Sequence, residues 1–310
     1  MALEITPGDF CEDHVISGKK LSKRIRQEIA NEVERLTELH GARPKLVTVI
    51  VGEDPGSKMY VRMKHKACKH VGILSEGYNL PEDTTQEELL ELIHRLNQDP
   101  TVHGILVQLP LPKHIDEETI ISAINPDKDV DGFSPRNIYR LFYGGELLSA
   151  ATPQGIVTIL DSLGIDLDGM HAVIINRSTI VGKPLIMLLL NRNITVTVCH
   201  SHTRDLPSIT RQADILITAV GRRRSDEDPY FITADMVKNG AIVIDVATPH
   251  GDCDFEAIKC KALYITPVPG GVGPMTIAML LKNVLAAYSF QMAQTNVLTT
   301  YAIDYGSYVS

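Results

Sequence analysis

The chain has 310 residues, of which 44% are hydrophobic and 22% are charged, so it is long enough for two domains with buried cores. Its formal net charge of −8 argues against a general nucleic-acid-binding protein, and no apolar run reaches the ~18 residues that a membrane span needs. The five cysteines include no CxxC pair, and the N-terminal segment lacks the basic and apolar regions of a signal peptide, so we expect a cytoplasmic protein with reduced thiols.

Helix-like and strand-like patterns alternate along the first half of the chain. Residues 17–39 carry apolar side chains at helical spacing, with Ser17 as the predicted N-cap. Thr84 and Glu87 have the spacing of a capping box before a further helix. We also predict strands at 45–51, 73–79 and 104–112, and helices at 58–71 and 117–124.

A second series of strands begins after residue 150, with helices between them. The predicted strands are 171–176, 194–199, 214–220 and 241–246. This order is typical of βαβ units in a parallel sheet. We therefore predict an α/β fold with two α/β domains around a cleft, the second a Rossmann-type parallel sheet. The predicted domains are residues 1–149, completed by a C-terminal helix at 275–292, and residues 150–274, followed by a tail at 293–310.

Tyr60 and Lys64 lie one turn apart on the predicted basic helix, and Gln108 falls at the end of a predicted strand. Ligands of open α/β sheets bind beyond the carboxyl ends of the strands. A lysine that exchanges protons near neutral pH needs burial to lower its pKa, and Gln108 is placed to hydrogen-bond such a lysine. A purely structural interpretation is also open, with a tyrosine that covers a lysine stem and a glutamine that caps a loop.

The sequence DVDGF places Asp129 and Asp131 on the same side if the segment is extended. One interpretation is a turn anchored by aspartate and glycine, and the other is a carboxylate that accepts hydrogen bonds from an amino-heterocycle. The segment lacks the spacing of an EF-hand. Cys199, His200 and His202 suggest zinc but lack a fourth ligand, so we predict no metal site.

The segment NRSTIVGKP follows a predicted strand and opens a helix, which is the position of a phosphate-binding turn. It lacks GxGxxG: only Gly182 is present, and Asn176, which tolerates a left-handed backbone, stands at the first glycine position. Arg177 and Ser178 are candidate phosphate contacts. The next strand ends near Ser201 without an acid, which together with Arg177 favours NADP over NAD.

A second glycine-rich segment, PVPGGVGPMT, covers residues 267–276. Its glycines allow a ligand to approach the backbone closely. A plain turn from strand to helix is the simpler interpretation of the same residues.

The motifs occur together in one order and spacing: YVRMKHKACKHVGI, GILVQLPLP, DKDVDGF, TPQG, RSTIVGKP, CHSHT and PVPGGVGPMT. From about residue 14 to 290 the chain resembles the methylenetetrahydrofolate dehydrogenase/cyclohydrolase family of bifunctional, FolD-type enzymes. The resemblance implies a homodimer in one-carbon metabolism and purine biosynthesis. It implies oxidation of 5,10-methylenetetrahydrofolate with NADP and hydrolysis of the methenyl product to 10-formyltetrahydrofolate.

The resemblance also assigns roles to residues. It places the catalytic lysine at Lys64, with Tyr60 and Gln108 beside it, and the pterin-binding aspartate at Asp131. The implied substrate-binding residues are Tyr60, Lys64, Val107, Gln108, Leu109, Asp131, Pro269, Gly270, Gly271, Val272 and Gly273. The implied cofactor-binding residues are Asn176, Arg177, Ser178, Ile180, Ser201, Thr248 and Thr276. The basic cluster Lys58, Arg62, Lys64, Lys66 and Lys69 suits the glutamate tail, or polyglutamate tail, of tetrahydrofolate derivatives.

The chain departs from the family pattern mainly on the cofactor side. Asn176 stands where the family usually has glycine, and Ala247 and Thr248 stand where it often has Gly-Ile. The segment 221–231, GRRRSDEDPYF, is unusually charged. These departures leave open NAD in place of NADP, and a cyclohydrolase with weakened or lost dehydrogenase activity. The sequence is also compatible with a non-catalytic folate- or nucleotide-binding module and with a generic dehydrogenase of amino or hydroxy acids.

Overall fold

A computed structural model describes residues 10–145 and 147–306, with side chains up to residue 294. In chain order it has β1 (Cys11–Glu12), β2 (Val15–Ile16), α1 (Gly18–His40), β3 (Lys45–Val51), α2 (Pro55–His70), β4 (Leu74–Leu80), α3 (Gln86–Gln98), β5 (Gly104–Val107), α4 (Glu117–Ala123), α5 (Pro135–Phe142) and α6 (Ala151–Ser162). It continues with β6 (His171–Ile175), α7 (Gly182–Leu190), β7 (Thr195–Cys199), α8 (Leu206–Thr210), β8 (Ile215–Thr218), β9 (Ile242–Asp245), α9 (Phe255–Lys259), β10 (Tyr264–Ile265) and α10 (Val272–Gly306).

The chain divides into two compact units. Of the described residues, the three-stranded unit contains 26–139, 147–149 and 280–306. The seven-stranded unit contains 10–25, 140–145 and 150–279. The division falls within α1 and within α10.

The sheet of the three-stranded unit is parallel, in the order β4-β3-β5. Its central strand β3 is a β-branched run whose last six residues are all buried, as expected of a strand covered on both faces. The predicted strand at 104–112 is shorter in the structure: β5 ends at Val107, since Pro110 and Pro112 have no N–H to continue a ladder. Gln108 therefore comes directly after the carboxyl end of β5.

Two predicted N-caps have different outcomes. The predicted helix at 17–39 is confirmed by α1, and the Ser17 Oγ accepts a hydrogen bond of 3.2 Å from the Lys20 N–H. The predicted capping box at Thr84 and Glu87 is wrong by one residue, because Thr85 and Glu88 form it. The Thr84 hydroxyl instead donates to the carbonyl of residue 81 in the preceding turn.

The last helix is longer than the predicted 275–292, since α10 runs from Val272 to Gly306. Its Asn283 Nδ2 donates to the carbonyl oxygens of Val130 and Ser149, each at 2.8 Å. The Tyr288 hydroxyl donates to the Ala42 carbonyl at 2.7 Å. These bonds hold the middle of α10 within the three-stranded unit. Of the predicted tail, residues 307–310 lie outside the described residues.

The sheet of the seven-stranded unit has the order β1-β2-β10-β9-β8-β6-β7, and it is parallel except for the β1–β2 pair. The chain leaves β6 towards β7 on one side and returns to β8 on the other, which makes the end of β6 a switch point for ligand binding. The N-terminal hairpin also belongs to this sheet, because Val15 pairs with Ile265. The predicted boundaries group the hairpin with residues 1–149, since strands of two residues carry no period that a pattern can detect.

In the described ranges, no helix combines the length and the apolar character that crossing a bilayer requires.

Candidate functional site

Helix α2 presents Tyr60 and Lys64 one turn apart. The helix begins at Pro55, and the Asp54 carboxylate caps it by accepting a 2.7 Å hydrogen bond from the Ser57 N–H. Tyr60 is 49% exposed, whereas Lys64 is half-buried. A half-buried lysine on a capped helix has fewer positions available to its amine than a fully exposed one.

The Lys64 Nζ donates a hydrogen bond of 3.0 Å to the Gln108 Oε1, so the predicted contact between these side chains is present. The Gln108 Nε2 in turn donates to the Leu109 carbonyl at 2.7 Å, which fixes the orientation of the amide. A carbonyl oxygen accepts from an amine and from an ammonium alike. The contact therefore positions the Lys64 Nζ in either protonation state.

The two residues beside Gln108 differ in exposure. Val107 is 4% exposed and belongs to the core of the three-stranded unit. Leu109 is half-buried and supplies the carbonyl that holds Gln108. The side chain of Val107 therefore contributes to packing, while Leu109 also positions the glutamine.

The two acids of DVDGF have different environments, because the segment forms a turn and not an extended chain. Asp129 is 1% exposed, and its carboxylate accepts hydrogen bonds from the Gly132 N–H, the Ser134 N–H and the Asn137 Nδ2 at 2.7–3.0 Å. Asp129 is thus the anchor of the turn, which leaves Asp131 as the candidate for ligand binding.

Burial raises the pKa of Asp131 to about 6. The nearby positive charge of Lys64 lowers this pKa and the negative charge of Asp129 raises it. Asp131 therefore lies within the electrostatic field of Lys64. A carboxyl group that changes charge near neutral pH beside a held lysine is a typical feature of a functional site.

The glycine-rich turn at 269–273 lies in the seven-stranded unit. Gly270 has a φ of +109°, which a side chain would strain, and its carbonyl accepts from the Lys19 N–H at 3.0 Å. A Cβ at Gly18 would lie 1.8 Å from the Gly271 carbonyl oxygen, so α1 begins in direct contact with the turn. Gly273 is exposed, with free space around its Cα. Gly270 is thus explained by its backbone conformation and Gly18 by packing, while Gly273 is available to a ligand.

A cavity of about 490 Å³ lies at the carboxyl ends of β6, β7 and β8. This edge of a parallel sheet, at the switch point, is where dinucleotides bind in Rossmann-type domains. The cavity is lined by Ile175, Asn176, Arg177, Ser178, Cys199, His200, Ser201, Thr203, Leu206, Val220, Arg222 and Phe231. Four of the seven predicted cofactor residues therefore line one cavity.

The other three predicted cofactor residues do not line this cavity. Ile180 is 48% exposed, and Thr248 is exposed after β9. Thr276 lies on α10, where its hydroxyl is 3.0 Å from the hydroxyl of Thr152. Their assignment to the cofactor remains a proposal.

Asn176 forms a turn different from the one expected, because its backbone does not take the left-handed conformation. Its Oδ1 accepts from the Ser178 N–H at 2.8 Å and from the Gly182 N–H at 3.1 Å, and its Nδ2 donates to the Ala219 carbonyl at 2.7 Å. The side chain itself therefore closes the turn, and it occupies two N–H groups that a phosphate would otherwise reach.

Several residues that line the cavity are not among those predicted from the sequence, above all Arg222 and Phe231. The Arg222 guanidinium lies over the Phe231 ring, 5.5 Å from its centroid. The sequence signal for these two residues was the charged composition of the segment 221–231. That composition did not predict a binding site, because the order of residues does not show that Arg222 and Phe231 line the same cavity as residues at the ends of β6 and β7.

Cys199 is buried, which raises the pKa of its thiol, and the rings of His200 and His202 are 6.0 Å apart. Over the residues that the structure describes, His, Cys, Asp and Glu side chains form no group of three or more able to hold a metal ion.

Comparison with known proteins gives two matching family models. Residues 16–131 match the catalytic domain of tetrahydrofolate dehydrogenase/cyclohydrolase, and residues 150–292 match its NAD(P)-binding domain. The bifunctional protein FolD of Moorella thermoacetica is 54% identical over 280 residues, covering 88% of this chain and 98% of that protein.

Solved structures agree with these matches. The bifunctional FolD dehydrogenase/cyclohydrolase of Campylobacter jejuni superposes with a TM-score of 0.84 at 47% identity, over 88% of this chain and 98% of the other. The Trypanosoma brucei enzyme, complexed with NADP and an inhibitor, gives a TM-score of 0.84 at 38% identity, over 90% and 98%. The chain therefore belongs to the tetrahydrofolate dehydrogenase/cyclohydrolase family.

Proposed function

We propose that this protein is a bifunctional enzyme that oxidises 5,10-methylenetetrahydrofolate with NADP and hydrolyses the methenyl product to 10-formyltetrahydrofolate. The observation that carries the proposal is the held Lys64 amine, 3.0 Å from Gln108 and close enough to Asp131 to lower its pKa. Its relatives support both activities over nearly their whole length. The two family domains both match, which favours the bifunctional enzyme over a cyclohydrolase without a dehydrogenase.

In the hydrolytic reaction, water adds to the methenyl carbon between two nitrogens. The carbon–oxygen bond forms as one proton leaves the water. The remaining hydroxyl proton then passes to the nitrogen whose carbon–nitrogen bond breaks, which opens the ring and leaves the carbon as a formyl group. The Lys64 Nζ is the proposed group that moves these protons, with Gln108 holding it and Tyr60 packing beside it. The Asp131 carboxylate is the proposed acceptor for the amino and ring N–H groups of the pterin.

In the oxidative reaction, NADP supplies the hydride acceptor, and the protein orients the two rings. The cavity at the ends of β6, β7 and β8 is the proposed binding site of the adenosine end of NADP. Arg177 and Ser201 on its lining provide a cation and a hydroxyl in place of an acid, which suits a 2′-phosphate. The turn at 269–273, with Gly273 exposed, is a proposed folate contact.

The remaining assignments extend the proposal. The enzyme works as a homodimer in the cytoplasm on tetrahydrofolate derivatives, including polyglutamylated ones. The exposed basic side chains of α2, among them Arg62, Lys66 and Lys69, are the proposed contacts of the glutamate tail.

The test is Lys64→Met, compared with Lys23→Met as the matched control. Lys23 is exposed on α1, so its loss removes an equal charge without touching Gln108 or the proposed contacts of the glutamate tail. We expect hydrolysis of methenyl-folate to fall about 100-fold or more in the Lys64 variant, the size of a lost general acid–base group, and to stay within about twofold in the control. Hydrolysis at the wild-type rate by Lys64→Met would refute the assigned role.

A further inference from the structure

The N-terminus of α7 offers few N–H groups to a bound phosphate. The Gly182 N–H is bonded to Asn176, and the Val181 N–H donates to the Ser178 Oγ at 3.1 Å. The Lys183 N–H donates to the Ser178 carbonyl at 2.9 Å, and the next residue is a proline without an N–H. Positively charged side chains must therefore supply much of the attraction for the phosphates of a dinucleotide.

The charged loop at 221–231 is held at both ends by one buried residue. Asp252 is fully buried, and its carboxylate accepts hydrogen bonds from the Val220 and Gly221 N–H groups at 2.8 and 2.9 Å. Its backbone carbonyl accepts from the N–H groups of Phe231 and Ile232 at 2.8 and 3.0 Å. The Thr218 hydroxyl at the end of β8 also donates to the Asp252 carboxylate at 2.8 Å, so Asp252 fixes both ends of the loop to β8.

The interior of this loop is filled by Arg223. Its guanidinium donates to the carbonyl oxygens of Asp226, Asp228 and Gly251 at 3.0–3.1 Å and lies over the Tyr230 ring, 4.0 Å from the centroid. Only 6% of the surface of this arginine is exposed, so its hydrogen bonds stabilise the loop from the inside. The loop is therefore fixed by its own hydrogen bonds before any ligand is present.

The fixed loop places Arg222 on the wall of the dinucleotide cavity, over Phe231 and on the same lining as Arg177 and Ser201. The residues after β7 are where Rossmann-type domains distinguish the 2′-hydroxyl of NAD from the 2′-phosphate of NADP. A guanidinium matches a phosphate with two parallel hydrogen bonds. We propose that Arg222 binds the 2′-phosphate of NADP together with Arg177 and so sets the preference for NADP. This inference rests on the proposed dehydrogenase function.

The experiment compares Arg222→Ala with Arg224→Ala, using kcat/KM for methylene-folate oxidation with NADP and with NAD. Arg224 is exposed on the same loop but does not line the cavity, so the charge change is matched. We expect the NADP-to-NAD ratio of kcat/KM to fall about 10- to 100-fold for Arg222→Ala, as for the loss of charge-assisted hydrogen bonds, and to change less than about twofold for Arg224→Ala. Arg222→Lys keeps the positive charge but loses the two parallel donors of the guanidinium, so its NADP-to-NAD ratio of kcat/KM should lie between those of the wild type and Arg222→Ala.

Titration calorimetry with 2′,5′-ADP and 5′-AMP measures the same contact without catalysis. Arg222→Ala should weaken the binding of 2′,5′-ADP more than the binding of 5′-AMP. Thermal unfolding of the variant reports whether it is folded. Equal losses for NADP and NAD, or no loss, would overturn the assignment to the 2′-phosphate. A wild-type protein that oxidises no methylene-folate but still prefers 2′,5′-ADP would refute the proposed function and leave the role of Arg222 standing.

Discussion

Replacing Asn176 with alanine should have two opposite effects: it should lower the stability of the protein and strengthen the binding of NADP. The amide forms three hydrogen bonds, to Ser178, Gly182 and Ala219, with lengths of 2.7–3.1 Å. Asn176→Ala removes all three and keeps the Cβ, and alanine fits because φ is not positive here. At about 0.5–1.5 kcal/mol for each bond, the free energy of unfolding should fall by roughly 2–4 kcal/mol.

The same substitution frees the Ser178 and Gly182 N–H groups at the start of α7. These groups then face a phosphate with the positive end of the helix dipole behind them. We therefore expect the Kd for NADP to fall by about 3- to 10-fold, although the protein itself is less stable.

Thermal unfolding and titration calorimetry with NADP test the two effects separately. Asn191→Ala is the control, because Asn191 donates one bond of 3.1 Å to the Leu141 carbonyl. We expect a decrease in Tm of about 5–15 °C for Asn176→Ala and about 2–4 °C for the control, at roughly 2–4 °C for each kcal/mol. An unchanged Tm would refute the role of the amide in the turn, and weaker NADP binding would show that Asn176 itself contacts the cofactor.

Two further predictions concern the folate side and the glycine-rich turn. Because burial raises the pKa of Asp131 to about 6, its carboxylate is lost as the pH falls below that value, so KM for methenyl-folate should rise about tenfold for each pH unit below 6. Asp131→Asn should give a high KM that stays flat from about one pH unit below that pKa to one above it, and a pH dependence identical to wild type would contradict the assignment. Gly18→Ala places a Cβ 1.8 Å from the Gly271 carbonyl oxygen and should cost at least about 1–3 kcal/mol in thermal unfolding, whereas Gly273→Ala, with open space around it, should leave Tm nearly unchanged.

The local elements of this protein were predictable because their signals are local. The strands β3 and β6 are β-branched runs, and α1 carries an apolar stripe at helical spacing. The contact of Lys64 with Gln108 was also predictable, because a parallel strand must deliver its carboxyl end to the ligand-binding edge.

Register and turn geometry were less predictable. The capping box lies one residue later than predicted, at Thr85 and not at Thr84. Either threonine satisfies the sequence pattern, and the hydrogen bond of Thr84 in the preceding turn decides between them. The spacing of DVDGF did not distinguish its two acids, although the family resemblance placed the pterin-binding aspartate at Asp131. The packing of the turn showed that Asp129 is the anchor, because its carboxylate accepts hydrogen bonds from the backbone of the same turn.

The sequence by itself determined the alternation of strands and helices and the family motifs. It also determined that Lys64 lies on a helix and Gln108 at the carboxyl end of a strand. Only the tertiary structure decided that the N-terminal hairpin joins β10, that Asn176 occupies the amides of its own turn, and that Arg222 lines the cavity at the carboxyl ends of β6, β7 and β8. The physical reason is that periodicity and propensity act over a few neighbouring residues. Hydrogen-bond partners and cavity walls are instead supplied by segments that are distant in sequence, such as Asp252 for the loop that carries Arg222.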